Sequence, residues 1–172
     1  MKIKNVIMAA ALLLVANGVY AQDFSNLDNI QLKAGADYRN NDSVALNCAN
    51  YLLNTPVDTF DVSHRNTFTF LMRWITGTPD YTFRVDADIA VKAAPTPALM
   101  AVYMASIAKF ALENKEQSKD ADAVKYNSFL IFIQYCENPN NHVQQTKEIK
   151  NLIKAKNDNT LKAYLKINST AN

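Results

Sequence analysis

Residues able to do chemistry are few and scattered. The chain has two histidines, His64 and His142. Each falls near an expected helix start, where the helix dipole disfavours an imidazolium. A neutral surface imidazole is therefore the plain expectation for both. His64 is close in sequence to Asp58 and Asp61, and a histidine oriented by a carboxylate is the core of a general base. Asp80 and Tyr81 place an acid beside a phenol. A small hydrolase with a site near Asp58, His64 and Asp80 is one reading of these residues. It requires a pocket that brings them within hydrogen-bond reach.

Other chemistries lack their residues. His-Glu-x-x-His and Cys-x-x-Cys spacings are absent, so no zinc ligand set is visible. Asp86-Ala87-Asp88 begins like a calcium loop, but Val91 stands where glycine is needed and Pro97 where the closing glutamate is needed. Gly-x-Ser-x-Gly and glycine-rich phosphate loops are absent too. The four glutamates, at 113, 116, 137 and 148, suggest no catalytic pair by spacing. No metal and no cofactor is expected. Cys48 and Cys136 leave two alternatives open. A disulfide would close a loop of about 88 residues, worth roughly 4–5 kcal/mol in the chain-entropy model. Two buried free thiols are the other reading, since unpaired cysteine is commonly buried.

The compartment bears on that choice. Lys2 and Lys4, the apolar run Ile7 to Ala16 and the short residues before Ala21 read as a signal peptide over residues 1–21, cut after Ala21. An apolar run of about ten residues is too short to span a bilayer, which needs about 20. The expected product is exported, periplasmic or secreted, and soluble, without a transmembrane segment. The whole chain carries 18 bases and 16 acids over 172 residues. Removing 21 residues with two lysines and no acid leaves 151 residues, 16 bases and 16 acids. A neutral chain gives no electrostatic reason to expect nucleic acid.

The elements that must position these groups are helical. Residues 22–41 are polar without a clear period and read as a poorly ordered arm. Apolar residues at a 3.6 period predict helices over about 43–54, 63–76, 97–114, 120–137, 141–156 and 159–167. Pro56, Gly77 with Pro79, and Pro139 are stops, and Thr96 with Pro97 is a start. The helix over 120–137 is apolar on two faces and looks central. The stretch 80–94 is ambiguous between extended and helical. Residues 168–172 should fray. The expected architecture is a single all-α domain over 42–167, a bundle of about six helices in antiparallel hairpins. Tetratricopeptide-like packing is an alternative, although no 34-residue spacing recurs.

Several segments also carry a resemblance. Cys48-Ala49-Asn50-Tyr51-Leu52-Leu53-Asn54-Thr55-Pro56-Val57-Asp58, Arg65, Phe70 with Trp74, Gly77-Thr78-Pro79-Asp80-Tyr81, Tyr103-Met104-Ala105 and Leu112-Glu113-Asn114-Lys115 together resemble a group of small exported bacterial proteins without assigned activity. The resemblance spans about 41–166. It implies an exported α-helical domain and transfers no catalytic residue.

Two functional classes follow, with a third behind them. Wide helical faces rich in Met, Tyr and Phe suit a non-enzymatic binding or scaffold module of the bacterial envelope, whose partner is another envelope protein or a peptide. Its candidate surface is Trp74, Asp80 and Tyr81, with Lys147, Lys150 and Lys154 on a basic C-terminal hairpin. The hydrolase is the rival. A structural or stress-related envelope protein is the third, and it predicts no site.

Overall fold

A computed structural model describes residues 24–59, 61–81, 83, 85 and 87–167. The signal-peptide reading, the cut after Ala21, Asp86 and the 168–172 tail lie outside the described residues. Among the described residues there are eight α-helices and no strand. They are α1 (Gly35–Asn40), α2 (Asp42–Asn54), α3 (Val62–Gly77), α4 (Ala87–Ala93), α5 (Pro97–Glu113), α6 (Ala121–Glu137), α7 (Lys147–Asn157) and α8 (Leu161–Tyr164). Short 3-10 turns occupy Leu27–Asn29, Gln117–Lys119 and Pro139–Asn141.

Local capping sets most boundaries. The Asp61 carboxylate accepts from the His64 backbone N–H at 2.7 Å and opens α3. The Thr96 hydroxyl accepts from the Leu99 N–H, with Pro97 in the first turn of α5. Asp120 accepts from Asp122 and Ala123 at the start of α6, and Thr146 from Ile149 at the start of α7. Each bond satisfies an N–H that the helix itself leaves unpaired.

The centre of the bundle is α5, not the 120–137 helix. Thirteen of its 17 residues are buried. Alanines 98, 101, 105, 108 and 111 keep its surface thin, so α2 and α6 pack closely on either side, with α3 and α4 beside them. Ser106, buried within it, donates back to the Val102 carbonyl. Fully buried Leu52, Phe70, Trp74, Phe129, Phe132 and Ile133 complete the core around it. α6 contributes a second layer, with Tyr103 packed on Phe129 and Phe132. A single all-α bundle is thus the fold.

Three expectations need correcting, and one left open is settled. The N-terminal arm is packed rather than loose from Phe24 onward. Phe24 and Leu27 are buried, and the Phe24 ring packs tilted against Tyr51, with centroids 4.8 Å apart. Donors on α3 hold the arm's carbonyls: Asn66 reaches Phe24, Arg73 reaches Ile30, and the Trp74 indole reaches Tyr38. The 80–94 stretch divides, with α4 at its end and Tyr81 and Phe83 folded onto Trp74. α7 starts at Lys147 rather than 141, because His142 adopts a left-handed φ of 53° after the Pro139 turn and breaks the path. α8 is short, bounded by Asn159 and Lys166 in the same conformation.

Candidate functional site

The structure scatters the predicted hydrolase residues. His64 is buried, not on the surface, and Asp61 meets it at the backbone N–H. Burial pushes the His64 imidazole below its ordinary pKa, and the Asp61 charge opposes that shift. Asp58 pairs with His142, and Asp80 with Arg39 at 3.2 Å. Asp58, His64 and Asp80 therefore form no common site.

The predicted partner surface also divides. Trp74 is fully buried, with its N–H donated to the Tyr38 carbonyl at 3.2 Å, because α3 is apolar on two adjoining flanks. Lys147, Lys150 and Lys154 are exposed on α7, whose Ile149, Leu152 and Ala155 face the core. Lys154 pairs with Asp158 at 2.5 Å. This is a solvated helix face. Asp80 and Tyr81 do come together, at a polar cleft of about 560 Å³. Among the described residues no aromatic side chain is exposed, and the exposed large apolar residues are Val62, Val85 and Val91. The Met- and Tyr-rich faces are core, so they supply no groove. Cys48 and Cys136 are free and buried, and burial pushes each thiol up to about 12.

A different constellation forms at the end of the bundle where α5 begins. His142 Nδ1 lies 3.1 and 3.0 Å from the two Asp58 carboxylate oxygens. A carboxylate only accepts, so Nδ1 carries a proton, and whenever the ring is neutral Nε2 is the acceptor. Both side chains are more than half exposed. Two buried anchors hold the loops that carry them. The Tyr135 hydroxyl donates to the Thr55 carbonyl at 2.6 Å, and the Val57 N–H donates to the Asn141 carbonyl at 3.1 Å. Asn141 is itself fixed by its side chain, which donates to the Tyr135 carbonyl. The pair thus sits on two loops that are pinned to each other and to α6.

The pair borders a cleft of about 450 Å³ with Val57, Pro95, Ala98 and Leu99 as apolar wall. Across Ala98 lies a second cleft of about 400 Å³, bordered by His64, Arg65 and Phe68. Both volumes fall in the range of small-molecule sites, about 300–1,000 Å³. The two threonines that line this cleft have other duties. Thr96 caps α5, and Thr146 caps α7 while donating to the Lys92 carbonyl. Among the described residues no hydroxyl or thiol is hydrogen-bonded to His142. No group of three or more His, Cys, Asp or Glu among them is arranged to hold a metal. The arrangement can enclose an apolar body and offer an acceptor and a carboxylate to its polar end.

Sequence reasoning missed this pair because its members are 84 residues apart. The available signal was the pair of proline-containing loops, after Pro56 and after Pro139, each followed within three residues by a titratable side chain. No helix among the described residues is long and apolar enough to cross a membrane. No family model matches the chain, and neither a curated protein nor a solved structure does.

Proposed function

We propose that the chain is an exported, non-enzymatic helical binding module of the bacterial envelope. Its ligand is a small molecule or peptide segment with an apolar body and a hydrogen-bonding end. The body lies along the first turn of α5, against Val57, Ala98 and Leu99, and the polar end meets Asp58 and His142. The single observation that carries this reading is a pinned Asp–His pair at the mouth of an apolar-walled cleft. Lys2, Lys4 and the apolar run that follows support export.

A fragment library screened by two-dimensional amide NMR tests the reading. Hits should shift Val57, Leu99 and Gln144, and His142→Ala should weaken them by about fivefold or more. Hits that map elsewhere, or that ignore His142→Ala, would sink it. The hydrolase survives as a second reading on the Asp58–His142 pair alone, with water as the nucleophile and Nε2 as base. Turnover of an ester and phosphoester panel that disappears in His142→Gln would favour it over the binding module.

A further inference from the structure

The polar cleft that contains Asp80 and Tyr81 is chemically unlike the apolar one. Its side chains are of both signs: Arg39 from α1, Asp42 from the start of α2, Asp80, and Lys115 and Lys119 from the α5–α6 connection. Two ion pairs hold it. Arg39 Nη1 donates to both Asp80 oxygens at 3.2 Å, and Lys115 Nζ donates to Asp42 Oδ2 at 2.9 Å. Both cations are well exposed, at 57% and 64%. Exposed pairs of this kind contribute little and exchange partners readily.

Asp42 is the exception among these groups. Its side chain is only 16% exposed, and its Oδ1 is buried without a hydrogen-bond partner. Its other oxygen takes Lys115 and a long contact of 3.4 Å from the Tyr81 hydroxyl. A carboxylate has about four acceptor positions, and a buried acceptor left without a donor is unfavourable. The same carboxylate raises the pKa of both its neighbours. For Lys115 the main cause is its hydrogen bond to Asp42, and for Tyr81 burial comes first and the Asp42 charge second.

We propose that this cleft binds a small zwitterion carrying an ammonium and a carboxylate, of the free amino acid or dipeptide class. The ammonium takes the place of Lys115 on Asp42 Oδ2. Lys115, released, joins Arg39 and Lys119 on the ligand carboxylate. The exchange conserves charge at every step, which is why a zwitterion fits better than a simple ion. A zwitterion pairs its ammonium with a carboxylate and its carboxylate with the cations, whereas a phosphate or a simple amine pairs with one sign only. Tyr81, stacked on Phe83 and packed on Trp74, gives the site a fixed wall.

Titration calorimetry of the purified chain with L-alanine and L-alanyl-L-alanine tests the proposal. The N-acetylated and C-amidated dipeptides and inorganic phosphate serve as controls. One of the zwitterions should bind with a dissociation constant of about 1 mM or tighter, and each capped form should bind at least about tenfold more weakly. Asp42→Asn should abolish binding, and Lys115→Met should weaken it by about tenfold. His142→Gln should leave it unchanged, which separates this site from the apolar cleft. If Asp42→Asn fails to fold, Lys115→Met and Arg39→Gln decide the matter, because both side chains are largely exposed. The proposal is overturned if neither zwitterion binds by about 10 mM. Capped forms or phosphate binding equally well, or Lys115→Met and Arg39→Gln both binding as wild type, would overturn it too.

Discussion

Gly77→Ala probes the docking of the N-terminal segment onto α3. Gly77 is the last residue of α3, and its φ is not in the left-handed region, so alanine meets no backbone strain there. Space is the obstacle. A Cβ at this position would overlap the Tyr38 hydroxyl and lie 2.5 and 2.7 Å from Tyr38 Cζ and Cε1. The whole ring must swing aside. That forfeits the Tyr38 hydroxyl bond to the Leu32 carbonyl at 3.1 Å, worth about 1 kcal/mol. It also disturbs half-buried packing, and overpacking costs typically about 1–3 kcal/mol. Alanine returns up to about 0.5–1 kcal/mol through its helix preference, less at the final residue of a helix. The net expectation is a loss of about 1–3 kcal/mol, or roughly 2–12 °C in Tm for a chain of this size. Trp74 is the only tryptophan and is bonded to the Tyr38 carbonyl, so its fluorescence reports on the same contact. The decisive assay is a double-mutant cycle by urea unfolding. In a Tyr38→Ala background the overlap is gone, so Gly77→Ala should be neutral or slightly stabilising, giving a coupling of about 1 kcal/mol or more. Equal penalties in both backgrounds would refute the claim that Tyr38 lies over the end of α3.

Three further outcomes are expected. Cys48 and Cys136 should be silent to a thiol reagent in the native protein and should both react after unfolding without reductant; a single band that is reagent-silent even when unfolded would mean a disulfide instead. Tyr135→Phe removes the hydroxyl that holds the Thr55 carbonyl and should cost about 1–2 kcal/mol in denaturant unfolding, with broadened His142 ring signals in NMR because the loop beneath the pair loosens. His64 is held neutral by burial, with its folded pKa below the ordinary 6.5, so the unfolded chain takes the proton first as pH falls. Stability should therefore be level above about pH 6.5 and decline below it, and His64→Gln should flatten that decline in thermal melts between pH 5 and 7.5; an unchanged slope would assign it to other groups.

The helices were legible where their signals are local. Thr96 with Pro97 opens the helix that follows, and Pro56, Gly77 with Pro79, and Pro139 stop the one before. The bounds of α2, α3, α5 and α6 follow within about a residue, inside the usual uncertainty of helix ends. The arm was illegible because its anchors are elsewhere. Asn66, Arg73 and Trp74 on α3 hold its carbonyls, and nothing in residues 24–40 records that donors more than 30 residues away will satisfy them. The centrality of α5 was missed for a related reason. Its many alanines weaken an apolar stripe when hydrophobic weight is counted, yet they are what lets two helices approach it at once.

Sequence proximity also misdirected the search for a site. His64 seemed the natural partner of Asp58 or Asp61 because they are neighbours in the chain. Position in a helix decides otherwise. Asp61 is the residue before the first turn of α3, where a carboxylate bonds the N–H of the third residue inward. That residue is His64, so the spacing that suggested a catalytic pair is also the spacing of a cap, and the cap is what forms. The same turn leaves the imidazole buried, at the edge of a cleft that Asp58 does not line. Asp58 lies outside the helix, three residues before that cap, with no backbone N–H among the described residues claiming it. It is therefore the carboxylate left to meet a partner from another loop. The partner is His142, which the Pro139 turn and its own left-handed φ hold outside α6 and α7 alike. In a helical bundle, an acid already used as a cap is a poor candidate for a second role. The acids and histidines that no helix claims are where chemistry can be assembled.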